Sequence, residues 1–343
     1  MEIIASVSIW KEKAVLLRQI ECLHQMNVKI LRINMKTLTT DSQIEDARRK
    51  LNTIIDKHED MRFMFDIAYK RDTPRSRVNN QNNRIEITEG ENYLITCDKE
   101  LLQNQQEMKK ESSARTPYAI GVYNLTSFPC TLDESVVYGN GEVVFRILSK
   151  ISKDSVLVRA NCSGTVWDGK ALHFTPDVYA PVTESSLEIY DSFASDFKGK
   201  NRFGIAFSFA NQPDELASVA KSRSLFPIVS KIEDEKGVEN IGGICEVSDY
   251  IYIARGDLGF SFPKSLLDKM REISNATHFS GKKLIVGTDV LESFGHLNIP
   301  SRSDMVDMNY IAKLGPDYVV LSQQVISSPF LAEAVSYLNS FFE

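Results

Sequence analysis

The sequence predicts an α/β fold: a (β/α)8 TIM barrel with a small all-β lid domain inserted after its third strand. Strand-like and helix-like segments alternate in residues 1–78 and again in 177–343, the pattern of chains that build a parallel sheet. In residues 79–176 the pattern changes to short alternating runs punctuated by Gly and Asn, which indicates an all-β insert. The two outer parts together hold about 250 residues, the usual size of such a barrel.

The first part of the chain contains three predicted strands. The third of them is a continuous apolar run, which is typical of a strand buried on both faces of its sheet. The strands are Glu2 to Ile9, Lys29 to Met35 and Met61 to Ala68, and the helices between them run from Ala14 to Met26 and from Thr40 or Asp41 to about His58.

The last part supplies five more strands, which completes the eight that a closed barrel needs. They lie near Phe203 to Phe209, Phe226 to Ile232, Tyr250 to Ala254, Lys283 to Thr288 and Asp317 to Ser322, and a last helix, Phe330 to Phe342, closes the ring. Within the insert, the polar stretch Lys99 to Glu111 is typical of a solvated helical excursion.

The composition excludes several classes of protein. The hydrophobic content of 43% and the charged content of 25% are those of a globular protein rather than a disordered one. The formal net charge of -6 argues against a nucleic-acid-binding protein. No run of 18 apolar residues and no secretory signal pattern occurs, so we expect a cytoplasmic protein that does not bind membranes.

Polar side chains terminate seven of the eight predicted strands. Catalytic groups of such barrels lie at the C-terminal ends of the strands, so these side chains should meet at one rim. They are Arg32 and Asn34 on the second strand, Asp66 on the third, Ser208 on the fourth, Lys231 and Glu233 on the fifth, Arg255 and Asp257 on the sixth, Thr288 on the seventh and Ser322 on the eighth. A structural ion pair explains one buried charge, but not this many at one rim.

The chemistry of these side chains indicates a metal and an anionic ligand. Glu233 and Asp257 supply hard oxygen atoms from neighbouring strands, as Mg2+ or Mn2+ requires. Lys231 and Arg32 suit a substrate with phosphate or carboxylate, because positioning and charge neutralisation contribute most of the catalysis in phosphoryl transfer. Gly256 gives the backbone close access to an anion.

Several segments resemble motifs of the pyruvate kinase family. The resemblance covers both barrel parts and, weakly, the lid. Its most specific parts are Ser230-Lys231-Ile232-Glu233-Asp234 and Ile253-Ala254-Arg255-Gly256-Asp257-Leu258-Gly259, and the others are Arg32-Ile33-Asn34, Thr288 through Ser293, Pro300 through Asp304, Val320-Leu321-Ser322 and, in the lid, Tyr138 through Gly141.

The resemblance implies roles for the residues that would handle the metal and the phosphoryl group. Glu233 and Asp257 would hold Mg2+ or Mn2+. Lys231 would stabilise the phosphoryl group in flight, and Arg32 and Arg77 would bind phosphate.

The resemblance also implies roles around the rest of the substrate. The backbone of Gly256 and Asp257 would bind the substrate carboxylate, and Thr288 would relay a proton to the enolate carbon. Asn34 and Asp66 would contribute to a monovalent-cation site. Ser208, at the end of the fourth predicted strand, is a further candidate for substrate binding.

Two departures from the family pattern concern the monovalent-cation site. Lys36 stands where the family has Ser, and Ile67 stands where it has a cation-binding Thr. The Lys36 ammonium either takes the place of K+ or points to solvent, and we expect no requirement for K+. The family's C-terminal regulatory domain has no counterpart here, so we expect a homo-oligomer smaller than a tetramer.

The sequence thus predicts a pyruvate kinase-like phosphotransferase. Its expected partners are phosphoenolpyruvate, pyruvate or a related enol acid, and ADP, ATP or another phosphate acceptor. Two alternatives stay open: a metal-enolate C–C lyase of the aldolase type, and a non-catalytic ligand-binding homologue. Lys231 and Thr288 count against the lyase, and the presence of that lysine with both metal ligands counts against the non-catalytic protein.

Overall fold

The chain forms two compact units. The computed structural model describes residues 1–38, 40–68, 71–78, 84–98, 100–102, 118–122, 125, 127–128, 135–139, 141–174, 180–181, 189–191, 193, 201–222 and 226–342. One unit consists of Met1–Tyr69 with Thr183–Glu343, and the other is Lys70–Val182. The limits of the insert expected from the sequence, residues 79 and 176, stay a prediction.

The first unit is a closed barrel of eight parallel strands, as the sequence predicts. In chain order the strands are β1 (Glu2–Val7), β2 (Ile30–Asn34), β3 (Arg62–Ile67), β4 (Arg202–Phe207), β5 (Ile228–Ile232), β6 (Tyr250–Ala254), β7 (Lys283–Gly287) and β8 (Tyr318–Leu321). Each pairs in parallel with its sequence neighbours, and β1 pairs with β8 to close the ring. The predicted fold class is therefore confirmed.

The strands are buried on both faces, which explains their continuous apolar sequences. Alternate side chains point into the barrel and form one apolar cluster: Ile4, Ile30, Met64, Phe203, Ala206, Val229, Tyr252, Ala254, Ile285 and Val320. The side chains between them point outward and pack against the helices, for example Phe63 and Phe65 of β3. Beyond this interior cluster, at the C-terminal rim, the strands carry polar side chains, among them Arg32, Asp66 and Lys231.

Helices surround the barrel in the described part of the chain. They are Lys13–Gln25, Asp41–Lys57, Pro213–Ser222, Glu235–Glu239, Ile241–Val247, Arg255–Ser261, Leu266–Phe279, Arg302–Leu314, Gln323–Ile326 and Leu331–Ser340, with 3-10 turns at Met35–Thr37 and Glu292–Gly295. Across these described helices, none combines the length and the apolar character needed to span a lipid bilayer.

Local sequence fixes where the helices begin and end. Thr40 caps the second helix: its side chain accepts a hydrogen bond from the backbone N–H of Gln43, whose side chain accepts one from the Thr40 N–H. Ser301 and Asp304 form the same reciprocal pair before helix Arg302–Leu314. That helix ends at Gly315, whose φ of 62° is a left-handed conformation that glycine adopts without strain.

The observed strands are one or two residues shorter than predicted at several ends. Strand β5 begins at Ile228 rather than Phe226, because Pro227 has no N–H to donate to a neighbouring strand. Thr288 lies outside β7, and its φ of 76° takes the backbone out of the extended conformation.

The second unit is built from short strands, and its own apolar cluster includes Phe128, Phe145 and Tyr138. In the described residues it has one seven-stranded sheet, in the order Leu172–Phe174, Ser135–Tyr138, Val143–Ser152, Ser155–Ala160, Asn92–Thr96, Tyr118–Val122 and Ser76–Arg77. Two further pairs join Gly164–Trp167 with Arg84–Ile87 and Ala180–Pro181 with Arg71–Asp72. Most of the stretch Lys99 to Glu111 lies outside the described residues, and the role of this unit as a lid stays a prediction.

Candidate active site

The predicted strand-end residues meet around one buried carboxylate, that of Asp66 at the end of β3. Its side chain is fully buried, and Arg32 of β2 donates to Oδ2 from Nε at 2.8 Å and from Nη2. The ammonium of Lys231, on β5, lies 3.4 Å from each carboxylate oxygen. Burial opposes ionisation most strongly, but the charges of Lys231, Arg32 and Lys36 outweigh it and hold the pKa of Asp66 below its usual range.

Lys231 connects this aspartate to the carboxylate of Glu233. Its Nζ lies 2.8 Å from Oε1 of Glu233 and 3.1 Å from Oγ of Ser208, and the side chain is almost fully buried. Burial lowers the pKa of the ammonium, but the charges of Asp66 and Glu233 more than compensate and raise the pKa above its usual value. Lys231 is therefore a fixed positive charge at neutral pH.

Glu233 faces a second carboxylate. Its Oε2 accepts a hydrogen bond from the backbone N–H of Phe209 at 2.7 Å. Burial raises the pKa of Glu233, the negative charge of Asp257 raises it further, and Lys231 opposes both. Asp257 lies in the first turn of helix Arg255–Ser261, which follows β6 directly, and is partly exposed.

This pair of carboxylates fits a divalent cation. Among the described residues, no three His, Cys, Asp or Glu side chains lie together in a complete protein ligand set. Mg2+ does not need one, since it is commonly held by one or two carboxylates and completes its octahedron with substrate oxygens and water. The repulsion between Glu233 and Asp257 is what such a cation would relieve.

Thr288 lies beside Gly256 at the same rim. A Cβ atom on Gly256 would be 3.1 Å from Cγ2 of Thr288, so the glycine permits a close approach. The φ of 76° at Thr288 is costly for a β-branched residue, and such conformations cluster at functional sites. Arg255 stabilises it, because its Nε donates to the carbonyl oxygen of Thr288 at 3.0 Å.

Asn34 ends β2, and Lys36 follows it on the short 3-10 turn Met35–Thr37. Asn34 Oδ1 caps this turn by accepting from the backbone N–H of Lys36 at 3.2 Å. The positive charge of Lys36 contributes to lowering the pKa of both Asp66 and Glu233. Of the two orientations considered for Lys36, this favours the one in which the ammonium faces the acidic centre.

Three other strand-end residues have different positions or partners. Arg255 pairs with Asp307 on helix Arg302–Leu314. Ser322 caps helix Gln323–Ile326 and donates to Glu292 Oε2 at 3.0 Å. Both lie at the C-terminal ends of their strands, as expected, but each side chain is paired with groups other than Asp66, Lys231 and Glu233. Arg77 lies in the second unit, exposed on strand Ser76–Arg77, and its phosphate-binding role stays a prediction.

Two residues of this region escaped the sequence reasoning. Ser6, on β1, is buried and accepts a hydrogen bond from Nη1 of Arg32 at 3.1 Å, so the first strand contributes to the rim as well. Ser6 is a polar residue near the end of an apolar strand, and this pattern could have predicted its position at the rim. Tyr252 lies within β6 next to Lys231, and nothing in its apolar sequence context distinguished it from a core residue.

Fold and rim together define a (β/α)8 barrel with a buried lysine held between two carboxylates. A sequence model of the pyruvate kinase barrel domain matches residues 4–335 of this chain. The chain therefore belongs to the pyruvate kinase family, as the motifs at its strand ends predict.

Individual relatives agree with this assignment. The pyruvate kinase of Thermotoga maritima is 25% identical over 333 residues, covering 93% of this chain and 66% of the relative. The pyruvate kinase of Mycoplasma pneumoniae is 26% identical over 83% of this chain and 59% of its own length. Pyruvate kinase 2 of Saccharomyces cerevisiae is 29% identical over 58% and 40%. The chain thus spans between two fifths and two thirds of the length of these relatives.

Proposed function

We propose that this chain is a pyruvate kinase-like phosphotransferase that uses Mg2+ to transfer a phosphoryl group between phosphoenolpyruvate and an acceptor. The acceptor is a nucleotide or another small molecule, and a related enol acid can take the place of phosphoenolpyruvate. The observation that carries the proposal is the Lys231 ammonium, buried at the rim between Asp66 and Glu233.

Preorganised positive charge in the active site is a main source of catalysis in phosphoryl transfer. Negative charge is spread over the oxygens of the phosphoryl group in flight, and fixed cations stabilise it without reorganising at the moment of reaction. Lys231 is held by two carboxylates and Ser208, and Arg32 is held by Asp66 and Ser6. Both cations are therefore positioned before a substrate arrives.

Glu233 and Asp257 are the proposed metal ligands. When bound there, Mg2+ would neutralise negative charge on the substrate oxygens. The two carboxylates would hold it at the rim, and the hydrogen bond from the Phe209 N–H orients Glu233.

The remaining part of the substrate would lie against the rim near β6 and β7. The backbone at Gly256 and Asp257 would bind the carboxylate, since Gly256 has no side chain to obstruct the approach. Ser208 would contribute its hydroxyl from β4. Thr288 would hold and move the proton at its Oγ1 when the enol carbon is protonated. Its partial exposure at the rim supports access to a substrate.

Lys36 is proposed to replace K+. Its charge acts on Asp66 and Glu233 together, which is the effect a monovalent cation at Asn34 and Asp66 would have. The activity would then require no added K+.

Phosphorus NMR of phosphoenolpyruvate with Mg2+ and a panel of acceptors tests this function. The panel contains ADP, other nucleoside diphosphates, small alcohols and small amines. We expect the phosphoenolpyruvate signal to be lost and a new phosphorylated product to appear with at least one acceptor. An unchanged spectrum with every acceptor, from protein that also fails to bind phosphoenolpyruvate, would contradict the proposal.

A further inference from the structure

Tyr252 lies inside the barrel at the level of the buried lysine. It is a register partner of Lys231 on the neighbouring parallel strand, so the two side chains lie next to each other on the inner face. The Lys231 ammonium is 6.0 Å from the centre of the tyrosine ring. Only 2% of the residue is accessible to solvent.

The hydroxyl group of Tyr252 makes no hydrogen bond with the described part of the chain, and its oxygen is not among the fully buried unpaired atoms there, so it keeps contact with solvent. Phenylalanine would fill the same space in the apolar barrel, but only the hydroxyl can donate a hydrogen bond to a ligand. The tyrosine therefore presents a polar atom whose hydrogen-bonding capacity is open to a bound ligand.

Gly287, on β7, makes room for this hydroxyl. A Cβ atom at Gly287 would lie 2.4 Å from the Tyr252 oxygen and 2.8 Å from Cβ of Val320. Any larger residue would push the ring away from its present place. The hydroxyl therefore lies against the backbone of Gly287, the residue that precedes Thr288.

Burial keeps the hydroxyl protonated. Burial raises the pKa of Tyr252, and the nearby cations Arg32 and Lys231 only partly oppose that effect. A neutral phenol among fixed cations is a hydrogen-bond donor suited to an anion.

We propose that Tyr252 is a substrate-binding residue whose hydroxyl donates a hydrogen bond to an anionic oxygen of the phosphorylated enol acid beside Lys231. The inference rests on the proposed function, because it takes the enol acid as the ligand of this rim. It adds a residue in the interior of β6 to those at the strand ends.

Calorimetric titration with phosphoenolpyruvate tests the inference in the presence of Mg2+ and without an acceptor. Tyr252→Phe removes one oxygen atom and keeps the ring. We expect its affinity to fall about tenfold, the usual effect of losing one hydrogen bond to a charged group. Tyr252→Met, which removes both the ring and the hydroxyl, should lose at least as much.

Two controls distinguish the loss of a hydrogen bond to phosphoenolpyruvate from a distortion of the site. Tyr250→Phe, at the N-terminal end of the same strand, should bind phosphoenolpyruvate like the wild type. Mn2+ affinity, measured alone by electron paramagnetic resonance, should be unchanged in Tyr252→Phe, because the hydroxyl contacts the enol acid and not the metal ligands.

Each other outcome overturns the inference in a recognisable way. If the wild type binds phosphoenolpyruvate and Tyr252→Phe binds it equally well, the hydroxyl makes no contact, although the proposed function stands. A parallel loss of Mn2+ affinity would assign Tyr252 a purely structural role at Glu233. A wild type that fails to bind phosphoenolpyruvate would remove the proposed function and this inference together.

Discussion

Nζ of Lys231 lies 2.8 Å from Oε1 of Glu233, and the same ammonium is 3.4 Å from both oxygens of Asp66. One cation thus joins a carboxylate at the end of β3 to one at the end of β5. Because all three groups are buried, removing any one of them leaves an unbalanced charge.

Replacing Lys231 by methionine should lower the turnover rate far more than the affinity for the enol acid. The substitution keeps the volume and removes the charge, which acts most strongly where charge shifts in the transition state. We expect a loss of about 100-fold or more in kcat, on the scale of other preorganised charge stabilisers. Steady-state kinetics with direct binding measurements would check this.

Lys50 supplies the matched control. It is also a buried lysine, but its Nζ donates to the carbonyl oxygen of Ile9 and pairs with Asp46 on its own helix. Lys50→Met should lower the stability and leave kcat unchanged. A Lys231→Met protein with normal turnover and weakened binding would favour a metal-enolate lyase over a phosphotransferase.

Replacing Asp257 by asparagine should weaken Mn2+ binding by at least tenfold. Loss of a partner that merely orients a metal ligand often costs about 10- to 100-fold, so loss of a ligand should cost no less. Titration monitored by electron paramagnetic resonance measures the affinity. Asp268→Asn, which changes an exposed carboxylate paired with Arg271, should have no effect. Equal affinity in Asp257→Asn and the wild type would show that this residue is not a ligand.

Exchanging Na+ or an organic cation for K+ should leave the activity of the wild type unchanged. In Lys36→Ser the ammonium near Asp66 and Glu233 is lost, so activity should fall in Na+ and recover on addition of K+. The measurement is initial rate against K+ concentration at constant ionic strength. Strong activation of the wild type by K+ would contradict the role assigned to Lys36.

Replacing Thr288 by alanine should slow the exchange of the methyl protons of pyruvate more than it slows phosphoryl transfer. The hydroxyl is proposed to move a proton to carbon, a step in which the phosphoryl group takes no part. Proton NMR in deuterated water follows the exchange. Thr288→Ser keeps the hydroxyl and should retain exchange, whereas equal losses in both variants would show that the methyl group matters instead.

Replacing Gly287 by alanine should destabilise the protein by about 1–3 kcal/mol, the usual cost of overfilling a packed interior. The new Cβ would collide with the Tyr252 oxygen and with Val320. In a Tyr252→Phe background the cost should be smaller, because one of those contacts disappears, and a double-mutant cycle by urea unfolding measures the difference. Gly242→Ala, where no atom lies within 4 Å of the added Cβ, should be neutral or slightly stabilising.

The eight barrel strands were predictable because each is a continuous apolar run separated from the next by a helical pattern. The side chains of Asp66, Lys231 and Glu233 were predictable for a related reason: polar residues at the ends of buried parallel strands must meet at one rim. Their mutual contacts were not. Asp66 and Lys231 are 165 residues apart, and only closure of the barrel brings them within 3.4 Å.

Where a helix begins directly after a strand, the position of a residue at the rim was predictable but the partner of its side chain was not. Arg255 and Ser322 each lie at the strand end, where Arg255 pairs with Asp307 and Ser322 caps a helix. For Tyr252 the sequence pattern predicted only a core residue. Its ring does pack in the apolar interior, but its hydroxyl is a polar group at the level of Lys231, and residue type alone does not show which of these two parts matters.

The shared position of Asp66 also constrains how this family member can change through evolution. Arg32 and Lys231 share that carboxylate, and Glu233 also pairs with Lys231, so loss of Asp66 alone would leave two buried cations with one carboxylate to balance them. To keep the buried charges balanced, any exchange at this centre has to change Asp66 together with the cations that it balances.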